Sequence, residues 1–125
     1  MKRGLLLFAH GARDPRWAAP FEAVAARVRA RAPGLEVQLA FLELMGPGLP
    51  EAGRALAGAG CERVDVLPLF LGAGGHVRKD LPALVEALAA ACPAVRWRLQ
   101  TAVGEAQAVI DAMADVALAC AESPD

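Results

Sequence analysis

The sequence predicts a doubly wound α/β domain, in which a four-stranded parallel sheet carries helices on both faces. Three observations point there. Short continuous apolar runs alternate with stretches of helical periodicity four times along the chain. The segments between successive runs are long enough for the right-handed crossovers that join parallel strands. The length of 125 residues suits one core, so residues 1–125 are expected to form a single domain.

Residues 4–9 (GLLLFA) are apolar without alternation, which marks a strand buried on both faces. The opening MKRGLLLFAHGA imitates a secretory leader, but its apolar run is shorter than the ~7 residues such a leader needs, so it is read as the first strand. Asp14 followed by Pro15 signals a helix start, and Trp17, Phe21, Val24 and Val28 then recur at helical spacing until Pro33 and Gly34. Residues 35–42 read as a second strand, residues 49–59 as a short helix stopped by Gly60, and residues 63–71 as a third strand. GAGGH turns the chain; Asp80 is expected to cap a third helix with Pro82 in its first turn and Leu81, Leu84, Val85 and Leu88 inward. Residues 95–102 complete the sheet, and residues 105–121 form a final helix expected to turn Val109, Ile110, Met113 and Val116 inward.

Composition excludes several function classes. With 13 Lys and Arg against 14 Asp and Glu the net charge is −1, which argues against nucleic acid or an anionic membrane surface as partner, since both require a cationic excess. Every apolar run is broken long before the ~18 residues of a membrane span. Cys61, Cys92 and Cys120 are spaced about thirty residues apart with no CxxC, which favours buried free thiols and a cytoplasmic setting.

There are only two histidines and no tyrosine, so few side chains can do chemistry near neutral pH. In a flavodoxin-like strand order, 2-1-3-4, the ligand crevice opens beyond the carboxyl ends of the first and third strands. His10 ends the first strand, His76 lies in the loop after the third, and Glu43 ends the second. Thirty-three residues separate each from the next, close to the length of one βαβ unit. Two imidazoles and a carboxylate at one edge suit a divalent first-row metal in an open coordination sphere. Arg13, Arg16, Arg78 and Lys79 put four of the 13 cations on the two histidine loops, a positive rim for an anionic ligand. GAGGH is not GxGxxG and does not follow the first strand, so no nucleotide is implied.

AHGARDPRW after the first strand, AFLELMGPGLPEA around the second and PLFLGAGGHVRKDLP after the third resemble the small CbiX-type sirohydrochlorin chelatases over essentially the whole chain. These are class II chelatases, which insert cobalt, or in relatives nickel or iron, into a tetrapyrrole. The resemblance implies the chelatase-like version of the same fold, metal-site histidines at His10 and His76, an acidic partner at Glu43, and a half-size chain that pairs as a homodimer. It implies an ATP-independent reaction on an anionic macrocycle, sirohydrochlorin, as a step of cobalamin or tetrapyrrole biosynthesis, with the divalent metal, cobalt foremost, as substrate. His10, His76 and Glu43 would hold the metal or accept the pyrrole protons; Arg13, Arg16, Arg78 and Lys79 would meet carboxylates, and Leu44, Met45 and Leu71 would offer an apolar slot. Two other readings compete. A histidine phosphatase would phosphorylate His10, but Ala9 stands where such enzymes carry arginine. A non-enzymatic metal- or tetrapyrrole-binding module would use the same residues without turnover.

Overall fold

The computed structural model describes residues 1–72 and 74–124, and of His76 the backbone alone. Strands β1 (Arg3–Ala9), β2 (Glu36–Phe41), β3 (Arg63–Pro68) and β4 (Arg96–Leu99) form one parallel sheet in the order β2-β1-β3-β4. This is the order expected from the sequence. A 3-10 turn, Pro15–Ala18, leads into α1 (Ala19–Arg31), and α2 (Leu49–Gly58), α3 (Gly75–Ala91) and α4 (Gln107–Glu122) follow their strands. Among the described residues no helix is long and apolar enough to cross a membrane.

The continuous apolar run of β1 is explained by its neighbours. Leu6 and Phe8 pack on one face with Leu49, Ala52 and Leu56 of α2 and Leu81, Val85 and Leu88 of α3. Leu7 packs on the other with Ala25 of α1 and Val37. Each such side chain, fully buried, contributes roughly 1.5–3 kcal/mol, and β1, paired on both sides, supplies Leu6, Leu7 and Phe8.

Four expectations are corrected. α3 begins at Gly75, not near Asp80, because Gly74 takes the extended conformation of a cap (φ −64°, ψ 162°) and the helix carries Pro82 inside it. α1 turns Ala25 rather than Val24 to the sheet; Val24 is exposed, since the 3-10 turn shifts the helical phase set by Trp17. β4 is shorter than residues 95–102 because it pairs with β3 only through Val66–Leu99. The largest correction is α4: none of its residues is buried, and Ile110, Met113 and Val116 are exposed. Its apolar stripe has no sheet beneath it. For the same reason Cys120 is exposed, whereas Cys61 is buried; all three cysteines are free thiols.

The face of β3 and β4 away from α2 and α3 is polar. Arg98 Nε donates to Asp65 Oδ1 at 2.6 Å, Gln100 Nε2 donates to the same oxygen at 2.9 Å, and Arg63 Nε lies 3.6 Å from Oδ2. Burial pushes the Asp65 carboxyl up, but these hydrogen bonds and the charges of Arg98 and Arg63 outweigh it and hold the group below its ordinary value. A depressed carboxylate stabilises the fold above the unfolded value of about 3.9, and that contribution disappears as pH falls through the folded value. Asp65→Asn is therefore expected to lower stability by about 1 kcal/mol at pH 7. In urea titrations repeated at decreasing pH, the gap to the wild type should close in acid below about pH 4.

Candidate functional site

The site grows from the carboxyl edge of β1. Beyond the sheet proper its pairing runs on into the loops: Leu42 N–H donates to the Ala9 carbonyl at 2.9 Å, Glu43 N–H to the His10 carbonyl at 3.0 Å, and Leu69 N–H to the Phe8 carbonyl at 2.7 Å. The loops after β2 and β3 are thus held against the end of β1 on either side. Gly11 makes the first of these approaches possible. It lies at φ +93°, and a Cβ there would collide with the Glu43 carbonyl oxygen. His10 and Glu43 are therefore brought together by backbone, as the sequence expected, although Glu43 stands two residues past the end of β2.

The His10 imidazole is half-buried and stacks on Phe70, with ring centroids 4.1 Å apart and planes 26° from parallel. Phe70 is itself buried, so it offers a rigid surface that sets the plane of the imidazole. Phe70 falls inside the apolar run read as the third strand, residues 63–71, and nothing in that run distinguishes it as the partner of His10. His76 belongs to the first turn of α3 rather than to a loop; its side chain lies outside the described residues. Among the described residues, no three His, Cys, Asp or Glu side chains converge as a metal site.

The expected cationic rim is more discriminating than a count suggests. Arg16 is committed: its guanidinium donates to both Asp14 oxygens at 2.8–3.1 Å, and Asp14 also accepts from the Arg16 backbone N–H. Those bonds hold the Asp14 carboxyl below its ordinary value. Arg78 faces Glu105 at 3.9 Å. Arg13 and Lys79 are exposed with no ion-pair partner among the described residues. Of the apolar candidates, Leu44 and Leu71 are 58% and 68% exposed on the loops either side of His10, whereas Met45 packs partly into a cluster with Ala9, Ala18 and Phe41. Leu44 holds a left-handed conformation (φ 67°), strain that an exposed leucine would shed unless the loop constrained it. The loops at this edge thus carry an imidazole, a carboxylate, two exposed leucines and exposed cations.

The CbiX family model matches residues 4–118. The chain belongs to the CbiX family. A CbiX protein from Marinobacter aquaeolei VT8 superposes with a TM-score of 0.84 at 35% identity, covering 96% of this chain and 98% of the other. The sirohydrochlorin chelatase SirB from Bacillus subtilis subspecies spizizenii, solved in complex with cobalt, gives 0.76 at 26% identity, covering 94% of this chain and 52% of SirB. A sirohydrochlorin cobaltochelatase of Methanothermobacter thermautotrophicus is 36% identical over 81 residues, which is 65% of this chain and 56% of the relative. The matched stretch spans 56–65% of the length of the first curated relatives, less than two thirds of each. Family membership and superposition agree with the doubly wound fold.

Gly11→Ala is expected to push the Glu43 loop off β1 and to strain φ, lowering stability by about 2 kcal/mol. A urea midpoint unchanged from wild type would contradict the packing of the two loops.

Proposed function

We propose that the chain catalyses insertion of a divalent metal, cobalt foremost, into sirohydrochlorin, without a nucleotide, and that it does so in the cytoplasm as a homodimer. The observation that supports this reading is the Glu43 N–H bond to the His10 carbonyl, which brings the backbones of these two residues together at the carboxyl edge of a CbiX-family sheet. Relatives named sirohydrochlorin cobaltochelatase, and a cobalt complex of SirB, support the choice of substrate and metal; nickel and iron remain alternatives for the same ligand types.

Metal insertion needs three things: water stripped from the ion, macrocycle nitrogens brought to it, and two pyrrole protons removed. His10, His76 and Glu43 would supply imidazole and carboxylate groups for the first and third. Two N–H bonds break, four metal–nitrogen bonds would form in place of the ion's bonds to water and to the side chains that deliver it, and both protons pass to these groups and on to water. Leu44 and Leu71 form the apolar ledge on which the macrocycle lies, and Arg13 and Lys79 meet its carboxylates.

The second copy accounts for α4. This helix carries Asp111, Asp115 and Glu122 and no cation, while β4 exposes Arg96, and Arg98 paired with Asp65, on the face opposite the one α3 covers. Reciprocal docking of each α4 on the other copy's β3–β4 face would cover Ile110, Met113 and Val116 and match the charges. In sedimentation velocity the protein should run at twice the 13.0 kDa of one chain, and the double variant Met113→Asp, Val116→Asp should run as a folded monomer. A wild type that is monomeric at tens of micromolar would overturn the dimer.

Chelatase activity is checked by mixing the protein with sirohydrochlorin and Co²⁺ and following the visible spectrum without ATP. Insertion should exceed the protein-free rate, and His10→Ala and His76→Ala should each reduce it by roughly 100-fold while far-UV circular dichroism is unchanged. A rate equal to the control with Co²⁺, Ni²⁺ and Fe²⁺ would overturn the reading.

A further inference from the structure

A cavity of about 370 Å³ opens at the ends of β3 and β4, one to two strand spacings from His10, or roughly 5–10 Å along the sheet edge. Leu81, Leu99 and Ala102 are among its apolar walls, and Thr101, Arg78 and Glu105 are among its polar ones. The 3-10 turn Val103–Glu105 is fixed beside it: Gly104 N–H donates to the Phe70 carbonyl at 2.9 Å, and a Cβ at Gly104 would collide with the Leu71 backbone. The residue that stacks on His10 therefore also anchors the segment that presents Glu105. Arg78 Nη2 stands 3.9 Å from the Glu105 carboxylate, and both side chains are more than half exposed. A pair so long and so wet holds weakly. A guanidinium held weakly is open to exchange with a carboxylate that can engage two of its N–H groups.

We propose that this cavity seats one carboxylate-bearing side chain of the macrocycle rim, and that Glu105 is the resident anion this carboxylate displaces from Arg78. The inference rests on the tetrapyrrole reading above. The aliphatic arm of the substituent lies along Leu81, Leu99 and Ala102, and its carboxylate takes the place of Glu105. Anchoring the rim here holds the macrocycle centre toward His10. A neutral substituent cannot replace Glu105, so the pair selects for acid-bearing macrocycles and makes Glu105 a specificity-determining residue.

The test is equilibrium binding of metal-free sirohydrochlorin and of its fully esterified form to the wild type, Glu105→Gln, Arg78→Gln and Thr101→Trp, each checked for fold by circular dichroism. For the acid form, Glu105→Gln should tighten binding three- to tenfold, Arg78→Gln should weaken it about tenfold, and Thr101→Trp, which fills the cavity without touching a charge, should weaken it at least fivefold. Affinity for the ester should be unmoved by Glu105→Gln and Arg78→Gln. If the wild type binds sirohydrochlorin but all variants match it within twofold, the subsite is wrong and the chelatase reading stands. If the wild type does not bind sirohydrochlorin at all, the reading beneath it falls and takes the subsite with it.

Discussion

The structure depends on one constraint, the position of β1 between β2 and β3 with its carboxyl end hydrogen-bonded on both sides. Ala9, His10 and Phe8 offer their carbonyls to Leu42, Glu43 and Leu69, so the parallel ladder continues into segments that are no longer strand. Backbone hydrogen bonds of this kind are individually modest, about 1 kcal/mol net. Here they do more than stabilise. They set the loops after β2 and β3 at fixed heights over the crevice, where a doubly wound sheet presents its ligands. Leu44 and Leu71 owe their exposure to this placement, and so does the left-handed turn at Leu44.

Electrostatics follows from the same geometry. A chain of net charge −1 cannot attract an anion by its overall field, so recognition depends on which cations are already engaged. Arg16 is locked to Asp14 and contributes to the shape of the first loop rather than to the rim. Arg13 and Lys79 are open, and Arg78 is held only at 3.9 Å. The rim is therefore a graded set: among the described residues, one cation is engaged by a carboxylate, one is loosely paired and two have no ion-pair partner.

Much of this was legible from residues alone. Strand order followed from handed crossovers and short connections, and the crevice followed from strand order, which put His10 and Glu43 at the ends of adjacent strands. Three things were not legible, each for a physical reason. Glycine and proline near residues 74–82 fit either a late helix start or an early one with an internal proline, and the same residues, Leu81, Val85 and Leu88, face inward in both, so the apolar pattern could not choose between them. The stripe on α4 told which side of the helix seeks cover; periodicity carries no information on whether the same chain provides it. Stacking of His10 on Phe70 joins residues sixty positions apart, and a local pattern cannot show such a contact.

The central claim is that the edge of β1 receives the metal. Its most direct test is a crystal soaked with Co²⁺ and measured at the cobalt absorption edge, so that the anomalous signal locates the ion independently of its surroundings. The account predicts a peak within bonding distance of the His10 imidazole, in the crevice it shares with Glu43 and the first turn of α3. A peak bound elsewhere, with the His10 ring still stacked on Phe70 and free of metal, would contradict it.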